Sequence, residues 1–341
     1  MKIKKIHSKF FLLPILISGL MSSCLHLSDP DDSSGAAIQV QPPAPSISQS
    51  ETGTQGYRLV PTIHVNQSEE LAVTATNKPV QPPAGLLKFA TDNLVLHFLP
   101  VGQGEAILLQ SPHGRFALID TGPARSPILA ALEAAGVDQL DWLILTHNHP
   151  DHTGGLDQVL KAIPVGAVAI DPFFPVDQMA LDEMVRVEIW RYRQVIQWDG
   201  VELTVINPNH DWKAEENEGS LALRLRWNKS TADLMADVGE TAEYGLVRAG
   251  LPLKADLLKL GHHGSATATG GSFLDVVKPT VAVYSAGLNN QYNLPNADLI
   301  QSIRKRGIRV FGTDVCGWTS AAAVTNGWKI FTQFKCNGGD K

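Results

Sequence analysis

The chain has 341 residues, 44% hydrophobic and 18% charged, with a formal net charge of −6. This length and composition read as globular, with enough apolar residues for a sizeable core in one large α/β domain plus appendages. The acidic balance excludes a bulk electrostatic attraction to nucleic acid, so any polyanionic substrate has to be held locally.

At the N-terminus a basic stretch, "MKIKKIHSKF", precedes "FLLPILISGLM", an apolar run too short to span a bilayer comfortably, and then "SSC". This is the pattern of an export signal. It resembles a bacterial lipoprotein signal in which Cys24 becomes the lipidated first residue, although Met21 stands where leucine is usual. An ordinary secretory peptide cleaved nearby is the alternative. The chain divides into four segments: a signal over 1–24, a flexible Pro/Ser-rich tether over 25–56, a short unassigned extension over 57–90, and a main domain over 91–341. The tether has too little apolar content to offset chain entropy. In the extension "YRLVPTIHV" and "LAVTAT" read as short strands.

From there strands and helices alternate. "LVLHFLP", "EAILLQS" and "RFALID" predict consecutive strands, "SPILAALEAAG" a helix stopped at Gly136, and "DWLILTH" a buried strand. "GGLDQVLKAI" reads as helix, "GAVAID" as strand, and 177–195 as mostly helix. "VELTVINP", "SLALRLRW" and "ADLMADV" read as strands. "TAEYGLVRAG", "GSFLDVVK" and "NADLIQSIRKRG" are predicted helices between the strands "ADLLKLG", "TVAVYSAG" and "RVFGTD". Strands that dominate early and alternate with helices later favour two sheets packed face to face with helices outside. No internal repeat is evident.

The stretch "LILTHNHPDHTGGL" crowds three histidines and an aspartate into six residues at a strand end. Neutral imidazoles and a carboxylate leaving water together need partners, and a metal ion supplies one for all of them. Side chains two apart on an extended chain point the same way, so His147 and His149 are expected to share one ion. Asp151 and His152, past the turn, aim at a second. A dinuclear site needs a bridging carboxylate and further donors. Asp120 in "LIDTG", Asp237 in "LMADVG", and His262 and His263 in "LLKLGHHGS" are the candidates, all at strand ends. Taken singly, Asp120 or Asp237 reads more readily as a turn or cap residue than as a ligand, and a lone histidine as an ordinary core or surface group. Five of the eleven histidines falling in two such motifs favours metal.

These residues resemble the metallo-β-lactamase fold, and within it the hydrolase-like domain of ComEC-type competence proteins. The resemblance runs from about Leu94 to Thr319 through "VGQGEAILL", "LIDTG", "LDWLILTHNHPDHTGGL", "NEGSLALRL", "LMADVGE", "LLKLGHHGS", "VKPTVAVYSAGLNNQYNLP" and "RVFGTD". It implies a four-layer αββα sandwich with the site along the sheet edges. By the same resemblance His147 and His149 ligate the first metal, Asp151 and His152 the second, and Asp237 bridges. His263, or its neighbour His262, is the distal ligand, and Asp120 orients the metal loop. Asp120, Asp151 and Asp237 are the candidate catalytic carboxylates. Asn217 and Ser220 match an Asn-Ser element, and with Ser265 and Thr267 they are the candidate substrate contacts, with Lys259 beside them. The chain departs from the family pattern at Pro100, Glu105 and Ala236. Leu294 stands where the family has a histidine, and the usual third-motif histidine is not evident, with His210 as its candidate substitute.

The resemblance implies an exported hydrolase using two divalent ions, zinc before manganese, to direct a metal-generated hydroxide at a phosphodiester such as DNA. The runner-up readings are a DNA- or phosphoester-binding module that retains the fold without turnover, and a lactam, lactone or thioester hydrolase. Arg304, Lys305, Arg306 and Arg309 read either as a polyanion track or as a solvated helix face. The partners expected are the phosphoester and, through a lipid on Cys24, a membrane facing the periplasm or cell exterior; no protein partner is inferable. Finally, "NG" at 326–327 between two strand-like runs predicts a hairpin, and pairing Thr325 with Trp328 brings Cys316 diagonal to Cys336. In an exported chain with Cys24 lipidated, these two remaining thiols are expected to form a disulfide.

Overall fold

The computed structural model of the chain describes residues 80–86, 92–176, 185–209, 217–336 and 338. The signal with Cys24, the tether, most of 57–90 including its two expected strands, and His210 lie outside the described residues.

Among the described residues fifteen strands form two mixed sheets. The first contains β1 (Val95–Phe98), β2 (Ile107–Gln110), β3 (Phe116–Ile119), β4 (Leu140–Leu145), β5 (Val165–Ile170) and β6 (Val187–Ile189). The second contains β7 (Val195–Trp198), β8 (Val201–Asn207), β9 (Ala222–Trp227), β10 (Ser230–Leu234), β11 (Leu257–Lys259), β12 (Val281–Tyr284) and β13 (Arg309–Gly312). The hairpin β14 (Thr319–Val324) and β15 (Gly327–Thr332) returns to the first sheet, giving the orders β15-β14-β1-β2-β3-β4-β5-β6 and β13-β12-β11-β10-β9-β8-β7. β3 to β6 run parallel to one another, as do β10 to β13.

The strand alternation explains the layering. Leu96, Phe98, Ile107, Leu109, Ala117 and Ile119 of the first sheet meet Leu223, Leu225, Ala232, Leu234, Val281 and Val283 of the second in one core between the sheets. The residues between them point outward, as period-two geometry requires. On the outer face of the first sheet, Leu108, Leu118 and Leu143 bury helices α1 (Ile128–Ala134) and α3 (Leu156–Ala162); the short α2 (Pro150–Thr153) precedes α3. On the outer face of the second, Leu258, Ala282 and Tyr284 cover α4 (Glu240–Arg248), α5 (Gly271–Val277) and α6 (Ala297–Lys305). The result is the expected αββα sandwich. None of the helices among the described residues is long and apolar enough to cross a membrane.

Two local expectations change. The described part of 177–195 holds strand β6 and the first residue of β7 instead of helix: "VEI" pairs in parallel with β5 at the sheet edge, and tertiary pairing overrides the local helical reading. In the hairpin, the positive φ falls on Gly327 (+111°), so Val324 pairs with Gly327 and Ala323 with Trp328, one residue off the symmetric Asn-Gly register. The ladder ends at Thr319–Thr332. Cys316, on the short α7 (Thr313–Cys316), still lies 5.3 Å Cα to Cα from Cys336, and the two form a disulfide. Phe334 N donates to Cys316 O across the same junction.

Closing this 20-residue separation should stabilise the fold by roughly 3 kcal/mol in the chain-entropy description. Denaturant titration of a Cys316→Ser/Cys336→Ser chain is expected to show a loss of about that size, and an unchanged midpoint would contradict a structural role for the bridge.

Candidate metal centre

The parallel strands of both sheets end on one edge, and the donors gather there: Asp120 after β3, His147 to His152 after β4, Asp237 after β10, and His262 and His263 after β11. This is the carboxyl-end position at which parallel sheets place ligands. After Leu145 the chain stays extended to His149 (φ −86°, ψ 145°), and Pro150, which has no N–H to satisfy, opens α2. The turn sends Asp151 and His152 away from His147 and His149. Neighbouring loops clamp this segment. Thr121 donates through N and Oγ1 to His152 O (2.7 and 3.0 Å), and Glu105 N donates to Asp151 O (3.1 Å). A Cβ on Gly104 would come 2.2 Å from Asp151 O, and one on Gly154 would come 2.3 Å from Ala124 N, so both positions require glycine.

Behind the site, Asp120 is fully buried with φ +56° and gathers three donors. Thr146 N and Oγ1 donate to its two oxygens (2.9 and 2.7 Å), and His152 Nδ1 donates at 2.7 Å. Because the Thr146 proton goes to Asp120, Thr146 Oγ1 accepts from His147 Nδ1 at 3.1 Å. His263 Nδ1 donates to Ser285 O at 2.9 Å. The Nδ1 atoms of His147, His152 and His263 therefore each carry a proton, and their Nε2 atoms all point into the site. Two of those Nε2 atoms, on His152 and His263, face each other at 3.3 Å. Were both bare their lone pairs would repel, and a metal ion or a proton between them resolves the conflict.

The donors fall into two sets, each able to hold a cation: His147, His149 and Asp237, and Asp151, His152 and His263. Their spacings are 3.0 Å for His147 Nε2 to His149 Nδ1, 3.3 Å for His263 Nε2 to Asp151 Oδ2, and 3.3 Å for His152 Nε2 to Asp237 Oδ1. Donors held 2.0–2.1 Å from one tetrahedral ion lie about 3.3 Å apart, so these spacings suit a divalent metal, and the 3.8 Å between His147 Nε2 and Asp237 Oδ2 would close by a few tenths of an ångström around it. Asp237 Oδ1 is buried and accepts no well-formed hydrogen bond among the described residues. Burial would push the Asp237 carboxyl up, but the His152 and His263 imidazoles hold it well below the usual carboxylate range. Burial likewise opposes the charge on Asp151, and contacts with His263 and His152 outweigh it, leaving that group at about 2. Burial would lower His152, yet Asp237 and Asp120 hold it well above an ordinary imidazole. Without a metal, a proton on His152 Nε2 stands in for the cation, and metal binding must release it.

Other sequence expectations are corrected. Lys259 is fully buried, ion-paired with the buried Glu105, and donates to Ala236 O at 3.0 Å, so it is not a phosphate contact. Ser220 is also fully buried and its hydroxyl donates to Asn217 O (2.7 Å), closing a turn instead of facing substrate. In that turn Glu218 accepts from Ala242 N at 2.9 Å, capping the helix behind Asp237. The Asn217 side-chain oxygen is buried without a hydrogen-bond partner among the described residues. Ser265 and Thr267 lie at the surface beside the histidine pair, their hydroxyls 3.0 Å apart. Among the described residues Asp120 accepts from Thr146 and from the far nitrogen of His152, so it acts through them as a positioning residue. The basic run is not part of the cleft. Helix α6 starts at the site edge, where Asn296 N donates to Gly264 O, but carries Arg304 to Arg306 to its far end, about 13 Å away at 1.5 Å per residue. Arg306 there pairs with Asp275 and Arg309 lies over Phe311, which matches the solvated-face reading. Thr146, Ser285, Glu105 and Glu218 were missed, since each acts through contacts 22 or more residues away in the chain that no local spacing reveals.

Residues 99–287 match the family described as the metallo-beta-lactamase superfamily. The chain is 32% identical over 245 residues to ComE operon protein 3 of Bacillus subtilis (strain 168), a match covering 64% of this chain and 32% of that protein. It is 34% identical over 220 residues to competence protein ComA of Neisseria gonorrhoeae, covering 63% and 30%. The chain thus spans about a third of the length of these curated relatives. Among solved structures it resembles the metallo-beta-lactamase fold protein YhfI from Bacillus subtilis, with a TM-score of 0.50 at 13% identity, covering 67% of this chain and all of the other.

Replacing Asp120 with Asn puts an amide donor among groups that already donate. Asp120→Asn is expected to weaken binding of a divalent ion by about 10–100-fold in chelator competition, the usual effect of losing an outer partner. Unchanged affinity would contradict its positioning role.

Proposed function

Because the chain belongs to the metallo-β-lactamase superfamily, a hydrolase family, we propose that it is an exported dinuclear phosphodiesterase acting on DNA or another extracellular phosphoester. The observation that carries this reading is the pair of donor sets sharing Asp237 at the edge of the sandwich. Two ions, zinc with manganese as the alternative, would be held by His147, His149 and Asp237 on one side and by Asp151, His152, His263 and Asp237 on the other. When bound, they supply Lewis acidity and a water of lowered pKa. The chain's own residues do the rest. Asp120 and Ser285 fix the imidazole tautomers, Asp237 holds the two sets in register, and Ser265 and Thr267 offer exposed hydroxyls to phosphate oxygens at the rim. Similarity to proteins named for competence supports DNA as the phosphoester. The Cys316–Cys336 disulfide supports a compartment outside the cytoplasm. A lipid on Cys24 would anchor the chain there.

One observation favours the second reading, capture without turnover: Leu294 is half-buried at the site edge and supplies no imidazole where the family has one. The deciding experiment incubates the Zn²⁺- or Mn²⁺-loaded chain with bis-p-nitrophenyl phosphate, single-stranded DNA and a chromogenic β-lactam. Cleavage of the phosphodiesters is expected, lost by more than about a hundredfold in Asp237→Ala, with little lactam turnover. A metal-loaded chain that binds DNA and cleaves no phosphodiester is a binding module.

A further inference from the structure

We infer that His262 belongs to the His147–His149 cation, as the fourth donor of a set that otherwise has three. The two oxygens of Asp237 divide the site. Oδ1 faces His152 and His263 at 3.3 and 3.5 Å, whereas Oδ2 faces His147 and His262, each at 3.8 Å. Separations of 3.8 Å are too long for hydrogen bonds, and a few tenths of an ångström beyond the edge expected for ligands meeting at one ion. His262 therefore lies on the first set's side of the bridge.

The backbone explains how neighbouring residues serve opposite sides. Both His262 (φ +45°) and His263 (φ +54°) are left-handed, a conformation that is strained for a residue other than glycine. It splays the rings to centroids 6.2 Å apart at 62°. His263 is locked inward by Ser285 O, while the partly exposed His262 ring makes no hydrogen bond among the described residues. Two successive strained residues are what a chain needs to deliver adjacent imidazoles to different ions; a rim residue needs neither.

The assignment also balances the ligand count. The second set has Asp151, His152 and His263 with Asp237 Oδ1, four donors in all. The first has three close-set donors, His147 and His149 with Asp237 Oδ2. His262, 3.8 Å from Asp237 Oδ2 and outside that trio, makes it four once its partly exposed ring turns toward the ion. As a ligand, His262 is also not free to replace the imidazole missing at Leu294, so leaving-group protonation falls to water or to the substrate itself.

This inference rests on the dinuclear part of the proposed function but not on the substrate, and its test reads metal. The full chain is stripped of metal and titrated with Co²⁺, with visible absorption reporting occupancy, for wild type, His262→Gln, His263→Gln, His210→Gln and the pairs His149→Gln/His262→Gln and His262→Gln/His263→Gln. Wild type is expected to bind two Co²⁺. His262→Gln should weaken one of them beyond the roughly 10–100-fold that an outer partner costs, leaving the other intact. The His149 pair should still hold one ion tightly, because both changes strike one site, whereas the His263 pair should hold neither. That contrast separates ligand loss from misfolding. Two tight ions in His262→Gln, or loss of one ion in His210→Gln, would overturn the inference. A wild-type chain binding a single Co²⁺ would overturn the dinuclear premise with it, and phosphodiesterase failure alone would leave the assignment standing.

Discussion

The site depends on one buried carboxylate held among imidazoles whose lone pairs all converge on it. Asp237 leaves the end of β10 in the second sheet, His147, His149 and His152 leave the end of β4 in the first, and the two meet only because the sheets stack with those ends on one edge. Within the metal-free chain this arrangement is internally opposed. Two Nε2 atoms and a carboxylate crowd together, and only a proton on His152 Nε2 keeps lone pair from facing lone pair. The fold thus presents a cavity of negative and electron-rich groups whose natural complement is divalent charge.

Keeping such a cavity open requires a rigid frame. Asp120 gathers the Thr146 and His152 donors, and the Gly104 and Gly154 contacts leave no room for the metal loop to shift. Between the sheets, Lys259 and Glu105 form a wholly buried ion pair, with Lys259 also holding the carbonyl preceding Asp237 and the Glu105 backbone holding Asp151. A buried pair is weak evidence for stability, since its desolvation cost rivals its attraction. Its placement, tying the Asp237 loop to the Asp151 loop, argues that it serves register. Glu243 supports the histidine loop from outside, accepting from Thr269 N and Gly270 N, although burial pushes its carboxyl up to about 7.

Most of the site was legible in the sequence because its signal is local. Four donors within six residues at a strand end, and glycines beside them, announce an ion before any fold is known. The layering was legible for the same reason, since short, nearly continuous apolar runs such as Val95–Phe98 and Val281–Tyr284 mark strands buried on both faces. What escaped was whatever tertiary partners decide. "VEI" at β6 became a strand through pairing with β5, and the hairpin register turned on one glycine dihedral. Lys259 and Ser220 looked like substrate contacts until their burial and partners were visible. The choice between His262 and His263 stayed open because neighbouring residues have no preferred facing until the backbone angles are known.

The most direct test of the account is the protonation pattern of the imidazoles. Long-range ¹H–¹⁵N spectra of the Zn²⁺-loaded chain are predicted to show protons on Nδ1 of His147, His152 and His263, with Nε2 of each bare and shifted by metal, and to show His152 doubly protonated at neutral pH once the metal is chelated. Protonated Nε2 atoms in the metal-loaded chain, or a neutral His152 after chelation, would contradict it.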